Sequence, residues 1–123
     1  MALWPILGHA QTPVGTYSTL SFNAESGDLN GIELTFIPVD LGVVAVAQIA
    51  ESGVNEVHLA TAKTEGGRTR FSFSMDDKSD VVFDIKCTPS DCRGRYLWGN
   101  ARVEVAMPLR DSYWARRRND SDN

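Results

Sequence analysis

The sequence predicts an all-β fold: one antiparallel eight-stranded barrel of up-and-down topology, with a two-sheet β-sandwich as the alternative. Three observations carry this. Apolar and polar residues alternate with period two along most of the chain. Turn-forming residues interrupt the alternation about every 8–12 residues, the spacing of sandwiches and barrels. No segment keeps a helical apolar period over three turns. Short connections favour pairing in sequence order, and closure removes two exposed sheet edges.

The elements follow in order. Val14–Phe22 opens the domain as the first strand. Gly27-Asp28 and Asn30-Gly31 are turn signals before a strand in which Ile32, Leu34 and Phe36 alternate with Glu33 and Thr35. Pro38 to Gly42 ends that strand. Val43–Glu51 (VVAVAQIAE) is apolar on both faces, and its β-branched content and flanking turns favour a buried strand over a short helix. After Ser52-Gly53, Val57 and Leu59 alternate with Glu56, His58 and Ala60, which predicts a dry valine–leucine face and a wet face carrying His58. Glu65-Gly66-Gly67 is a hairpin loop. Phe71, Phe73 and Met75 then alternate with Arg70, Ser72 and Ser74, and a polar turn runs from Asp76 to Asp80. Val81, Phe83, Ile85 and Cys87 alternate with Val82, Asp84 and Lys86. Gly99-Asn100 is a tight turn joining Arg95–Trp98 to a last strand with Val103, Val105, Met107 and Leu109 on its dry face.

Composition bounds the function. The chain has 123 residues, enough for one domain. Its 42% hydrophobic and 23% charged residues suit a packed core and argue against disorder. The net charge is −4, and three of the 12 basic residues sit together in Arg116-Arg117-Arg118. The body therefore lacks the basic stripe that nucleic-acid binding requires. No apolar run is long enough for a spanning helix.

Residues 1–10 open with ALWPIL followed by Gly8-His9-Ala10, whose small residues match a signal-peptidase site with cleavage before Gln11. Two readings stand for this segment: the tail of a signal peptide, or a disordered N-terminus. Residues 11–114 form the expected β domain, and residues 115–123 a disordered polar tail. The first reading places the protein in the periplasm or outside the cell. The two cysteines, Cys87 and Cys92, are expected to form a disulfide, which suits an oxidising compartment, while a Cys-x4-Cys pair alone is poor for zinc.

Candidate sites are few. Tyr96 and Trp98, with Arg93 and Arg95 nearby, form the candidate binding patch, because these residue types anchor protein interfaces. Core packing of the two aromatics is the competing reading. Tyr113-Trp114 is a candidate C-terminal clasp. His58 has no marked nucleophile, Asp76, Asp77 and Asp80 lack calcium-loop spacing, and Glu51 and Glu56 are expected to be surface acids. No catalytic, metal or cofactor motif emerges.

Gly15-Thr16-Tyr17-Ser18, Glu25 to Leu34, Val46 to Glu51 and Leu109 to Trp114, in that order, resemble a group of small exported bacterial β proteins of unassigned function. The likeness spans most of Val14 to Trp114 and implies an envelope location and a compact β fold. The Gly-x-Tyr opening is also similar to that of calycin-type barrels such as lipocalins, in which tryptophan stands where Tyr17 stands here. Tyr96 to Ala101 resembles the C-terminal hairpin of membrane-bound lysozyme inhibitors, without their upstream Ser-Gly loop.

The expected function is a non-enzymatic envelope protein that binds a protein partner. An inhibitor-like variant would use the braced loop Thr88–Asp91 to plug a cleft. The alternatives are a carrier of a small apolar ligand, in a cavity lined by Leu34, Phe36, Phe71, Phe73, Phe83 and Val105, and a hydrolytic enzyme.

Overall fold

Period-two alternation becomes an antiparallel meander in the computed structural model, which describes residues 12–51 and 53–121. The strands are β1 (Gly15–Ser18), β2 (Ser21–Asn23), β3 (Asp28–Val39), β4 (Gly42–Glu51), β5 (Val54–Glu65), β6 (Arg68–Ser74), β7 (Asp80–Cys87), β8 (Asp91–Trp98) and β9 (Ala101–Pro108), followed by a helix α1 (Tyr113–Ser121). The strand order is β1-β3-β4-β5-β6-β7-β8-β9, with β2 pairing only with β3. A bridge between Tyr17 and Leu109 brings the last segment back to β1, so the sheet is nearly closed into a barrel. The single strand expected over Val14–Phe22 is two, because the chain bends at Thr19-Leu20 between pairing with the two halves of β3.

The turns carry their expected chemistry. Gly66 and Gly67 both have positive φ, 58° and 79°, as a two-residue hairpin with primed geometry requires. Gly94 lies inside β8, where a Cβ would collide with the Asp84 carbonyl of β7. Glycine there lets the two backbones approach.

The interior is filled by side chains. Ile32, Leu34 and Phe36 from β3 meet Ala45, Ala47 and Ile49 from β4 and Phe71, Phe83 and Tyr96 from the opposite wall. Rings run across the middle: Tyr17 edge-on to Phe36 at 6.0 Å, Phe36 edge-on to Phe71 at 5.9 Å, Phe71 stacked on Phe83 at 4.8 Å and Phe83 on Tyr96 at 5.0 Å. These separations are those of favourable aromatic pairs. Cys87 and Cys92 face each other across β7–β8 and form the expected disulfide.

Two expectations need correction. β5 is turned over. Val57 and Leu59 lie on the outer wall, 54% and 67% exposed, while His58 and Ala60 pack inward and Ala62 is buried. The register explains it: Ala47 and Ile49, both buried on β4, stand opposite His58 and Glu56 and so share their face. The polar tail is also not disordered over its described part. Tyr113–Ser121 is helical, capped by the Ser112 hydroxyl, which accepts the Trp114 amide at 3.2 Å. The expectation for residues 1–10 lies outside the described residues.

The helix is held by one carboxylate. Glu33 is 7% exposed and accepts three hydrogen bonds: from the Ser18 hydroxyl at 2.9 Å, the Ser112 hydroxyl at 2.7 Å and the Tyr113 amide at 2.7 Å. Arg116 adds bonds to the Leu20 carbonyl at 3.2 Å and the Asp111 carbonyl at 3.0 Å. Replacing Glu33 by alanine leaves buried donors without an acceptor, so E33A should lower unfolding free energy by about 2–4 kcal/mol. S112A, which removes one bond and the cap, should cost about 1 kcal/mol. Urea denaturation of the two variants beside the wild type measures both, and equal stability of E33A and wild type would refute the lock.

Candidate interaction face and open seam

β5 meets β6 over only three residue pairs, Lys63–Arg70, Thr64–Thr69 and Glu65–Arg68. β5 has 12 residues, and among the described residues its first nine, through Ala62, have no partner on that side. Antiparallel ladders alternate, so every second residue directs both its N–H and its C=O to one neighbour. Lys63 and Glu65 direct theirs to β6, the latter as the closing pair of the two-residue turn. By the same alternation Asn55, Val57, Leu59 and Thr61 aim theirs at the seam, where the ladder has ended.

The outer wall beside this seam is apolar. Ile37 and Val39 on β3, Val44 and Val46 on β4 and Val57 and Leu59 on β5 point outward, with Ile37 opposite Val44 and Val46 opposite Leu59. Isolated exposed apolar residues are ordinary, but a contiguous patch on a sheet face marks an interaction surface. α1 covers only the neighbouring row, where Glu33 lies beneath Ser112 and Trp114 Nε1 donates to Gln48 Oε1 at 2.8 Å. Where the β5–β6 ladder ends, a cleft of about 510 Å³ opens among Thr61, Lys63, Arg68, Arg70, Phe71 and Ser72.

At its other end the seam is clipped by side chains. Glu56 Oε1 accepts the Asp76 amide at 2.9 Å and pairs with His58 Nε2 at 2.7 Å. The His58 ring stacks on Phe73 of β6 at 4.9 Å. These contacts hold the Glu56 carboxyl below the usual carboxylate range, first through the His58 hydrogen bond and then through the Asp76 amide.

The candidate patch read from the sequence is divided by the barrel wall. Tyr96 is 1% exposed and faces inward, where burial first and the Glu51 carboxylate second push its hydroxyl up to about 12. Trp98 is half-buried on the same face, its Nε1 bonded to Ser79 Oγ at 2.8 Å. Arg93 and Arg95 alternate with them on the opposite face, and Arg93 pairs with Asp91 at 2.6 Å. The core reading of the two aromatics is the one the packing follows. Tyr113 is buried against Leu20 and Ala50, and Trp114 is half-exposed, so the clasp lies on the outer wall. The loop Thr88–Asp91 is exposed at Thr88, Pro89 and Ser90 and braced by Thr88, whose amide bonds the Asp91 carbonyl at 2.7 Å. It lies at the end of the barrel away from Glu56.

Sequence reasoning missed the outer face of β3–β5. Its one signal in the sequence is that β4 is apolar on both faces, a pattern shared by a doubly buried strand and by a strand with one apolar face turned outward. Comparison with known proteins adds no family: no family model matches the chain, and no curated protein and no solved structure matches it.

The clip makes stability pH-dependent in a defined direction. In the folded state the Glu56 carboxyl titrates below its ordinary value of 4.5, so its contribution is present above that value and is lost as the pH falls through the folded one. E56Q should therefore lose less stability than wild type between pH 7 and about pH 3, the range spanning carboxylate titration. Urea titrations at the two pH values measure the difference, and identical losses in both proteins would show that Glu56 carries none of it.

Proposed function

We propose that this is a non-enzymatic binding protein that takes an extended segment of a protein partner along the β5 edge and against the apolar outer wall of β3–β5. The carrying observation is that Val57 and Leu59 are exposed beside a strand edge whose backbone groups lack a neighbour among the described residues. Such an edge supplies main-chain hydrogen bonds to an added strand, and pockets for alternate side chains supply selectivity. β6 flanks the slot on its far side, so a single extended segment fits it better than the wall of a second folded barrel. Val57, Leu59 and Val46 would meet every second side chain of that segment.

The disulfide and the resemblance to exported β proteins support an envelope location for this binding role. Among the described residues, no helix is long and apolar enough to cross a membrane. The ring-filled interior weighs against the carrier reading, because an eight-stranded barrel is only just wide enough for its own side chains.

Selection from a displayed library of peptides of roughly ten residues, about two strand lengths, tests the proposal. Enriched peptides should carry apolar residues at alternate positions. Their binding should fall at least about tenfold in L59K, some 1.4 kcal/mol, and stay unchanged in L97K, on the outer wall of β8. Enrichment of no peptide, or equal binding by L59K, would contradict the reading. Sedimentation equilibrium of the wild type adds a second arm. A dimer abolished by L59K would assign the face to a second copy and overturn the extended-segment proposal.

A further inference from the structure

Among the described strands, β5 alone turns two consecutive inward positions, Glu56 and His58, over to ionisable side chains. Both stand at one end of the open seam. On the other side of the seam, Asp76 follows β6 in the chain. Glu56, His58 and Asp76 each offer a ligand atom, and these atoms lie within 4.8 Å of one another. Two carboxylates and an imidazole, drawn from segments on opposite sides of a gap, are the donor set of a first-row divalent cation.

We propose that Glu56, His58 and Asp76 bind a divalent transition-metal ion, zinc being the ion that the donor set fits, and that the ion ties β5 to the chain beyond β6. Zinc takes nitrogen and oxygen ligands at about 2.0–2.2 Å, so tetrahedral donors sit roughly 3.4 Å apart. Nε2 of His58 and Oε1 of Glu56 open from 2.7 Å toward that separation, and the Asp76 carboxylate closes on them from within 4.8 Å. Asp76 is exposed and free of an inward packing role, so its carboxylate can swing to the ion. The His58 ring is already fixed in plane by its stack on Phe73, and Nε2 is the nitrogen directed at Glu56. On binding, the Nε2–Oε1 contact becomes a bridge through the metal. Glu56 keeps the Asp76 amide as a supporting donor, the kind of outer contact that orients a ligating carboxylate. The half-buried rim leaves a fourth position for water, as in sites with three protein ligands. Asp77, close enough to act on Glu56, adds negative field that favours a cation. The site does not rest on the partner reading, since its ligands are read from side-chain geometry alone, although it lies at one end of the same seam.

The test is titration of the full chain with zinc chloride, read by native mass spectrometry and by competition with a chromophoric chelator, for wild type, D76N and H58A. One zinc per chain is expected, with affinity at least about tenfold weaker in each variant. Zinc should also raise the melting temperature of wild type, and raise that of D76N by less at the same zinc concentration. Absence of binding at zinc on the order of 100 µM overturns the proposal, and so does wild-type affinity in either variant. D76N changes an exposed turn residue, so it decides the matter alone if H58A fails to fold.

Discussion

Closure of this barrel rests on the Glu33 carboxylate. A meander of antiparallel strands can pair neighbour to neighbour without help, but its two ends must also be brought together. Here β1 is only four residues long and touches the final segment through a single bridge. Glu33, on the outer face of β3 and opposite Ser18 of β1, supplies what backbone pairing does not. It binds Ser18 on one side and Ser112 and Tyr113 on the other, so β1, β3 and the start of α1 share one acceptor group. Charge-assisted bonds in a buried site are the strong kind, and each leaves an expensive orphan when its acceptor is removed. A nine-residue helix is marginal by itself in water, so α1 exists because it docks.

With the ends locked, the remaining weak line is the seam between β5 and β6. The short Gly66-Gly67 turn starts a ladder that stops after three pairs. Beyond it, ring stacking and the Glu56 clip hold the walls together, with no backbone pairing between them. The same turned-over β5 that sends Glu56 and His58 into the rim sends Val57 and Leu59 into solvent. The open edge, the apolar wall and the cluster of ligand-type side chains thus share one structural origin. The aromatic residues Tyr96 and Trp98 of β8, by contrast, face inward, Tyr96 fully buried and Trp98 half-buried.

Much of the architecture was legible in the sequence. Alternation with period two, glycine at the hairpin tips and the absence of a long helical period gave the strand content and the meander, and two closely spaced cysteines gave the disulfide. What alternation cannot give is its sense. A run such as VNEVHLATA states that two faces differ without saying which is inside, and the ordinary assumption that apolar residues go in fails for β5 because its neighbour β4 dictates the face through Ala47 and Ile49. Helix α1 was illegible for a different reason. Its anchors are a serine cap, a buried glutamate 80 residues away in sequence and Arg116, none of which leaves an apolar period to detect. The apolar outer face of β3–β5 was hidden in plain sight. Val44 and Val46 looked like a doubly buried strand, and only the register shows that one of its faces is uncovered.

Residue-resolved amide exchange along β5, with and without a bound peptide, tests the central claim most directly. The account predicts an alternating record. The Val57, Leu59 and Thr61 amides should exchange much faster than those of Glu56, His58 and Ala60, which are bonded to β4, and they should slow when an extended peptide is added. Uniform protection of β5 in the free protein would mean that the seam is closed. Unchanged exchange of those three amides on peptide binding would mean that the edge is not where the partner sits.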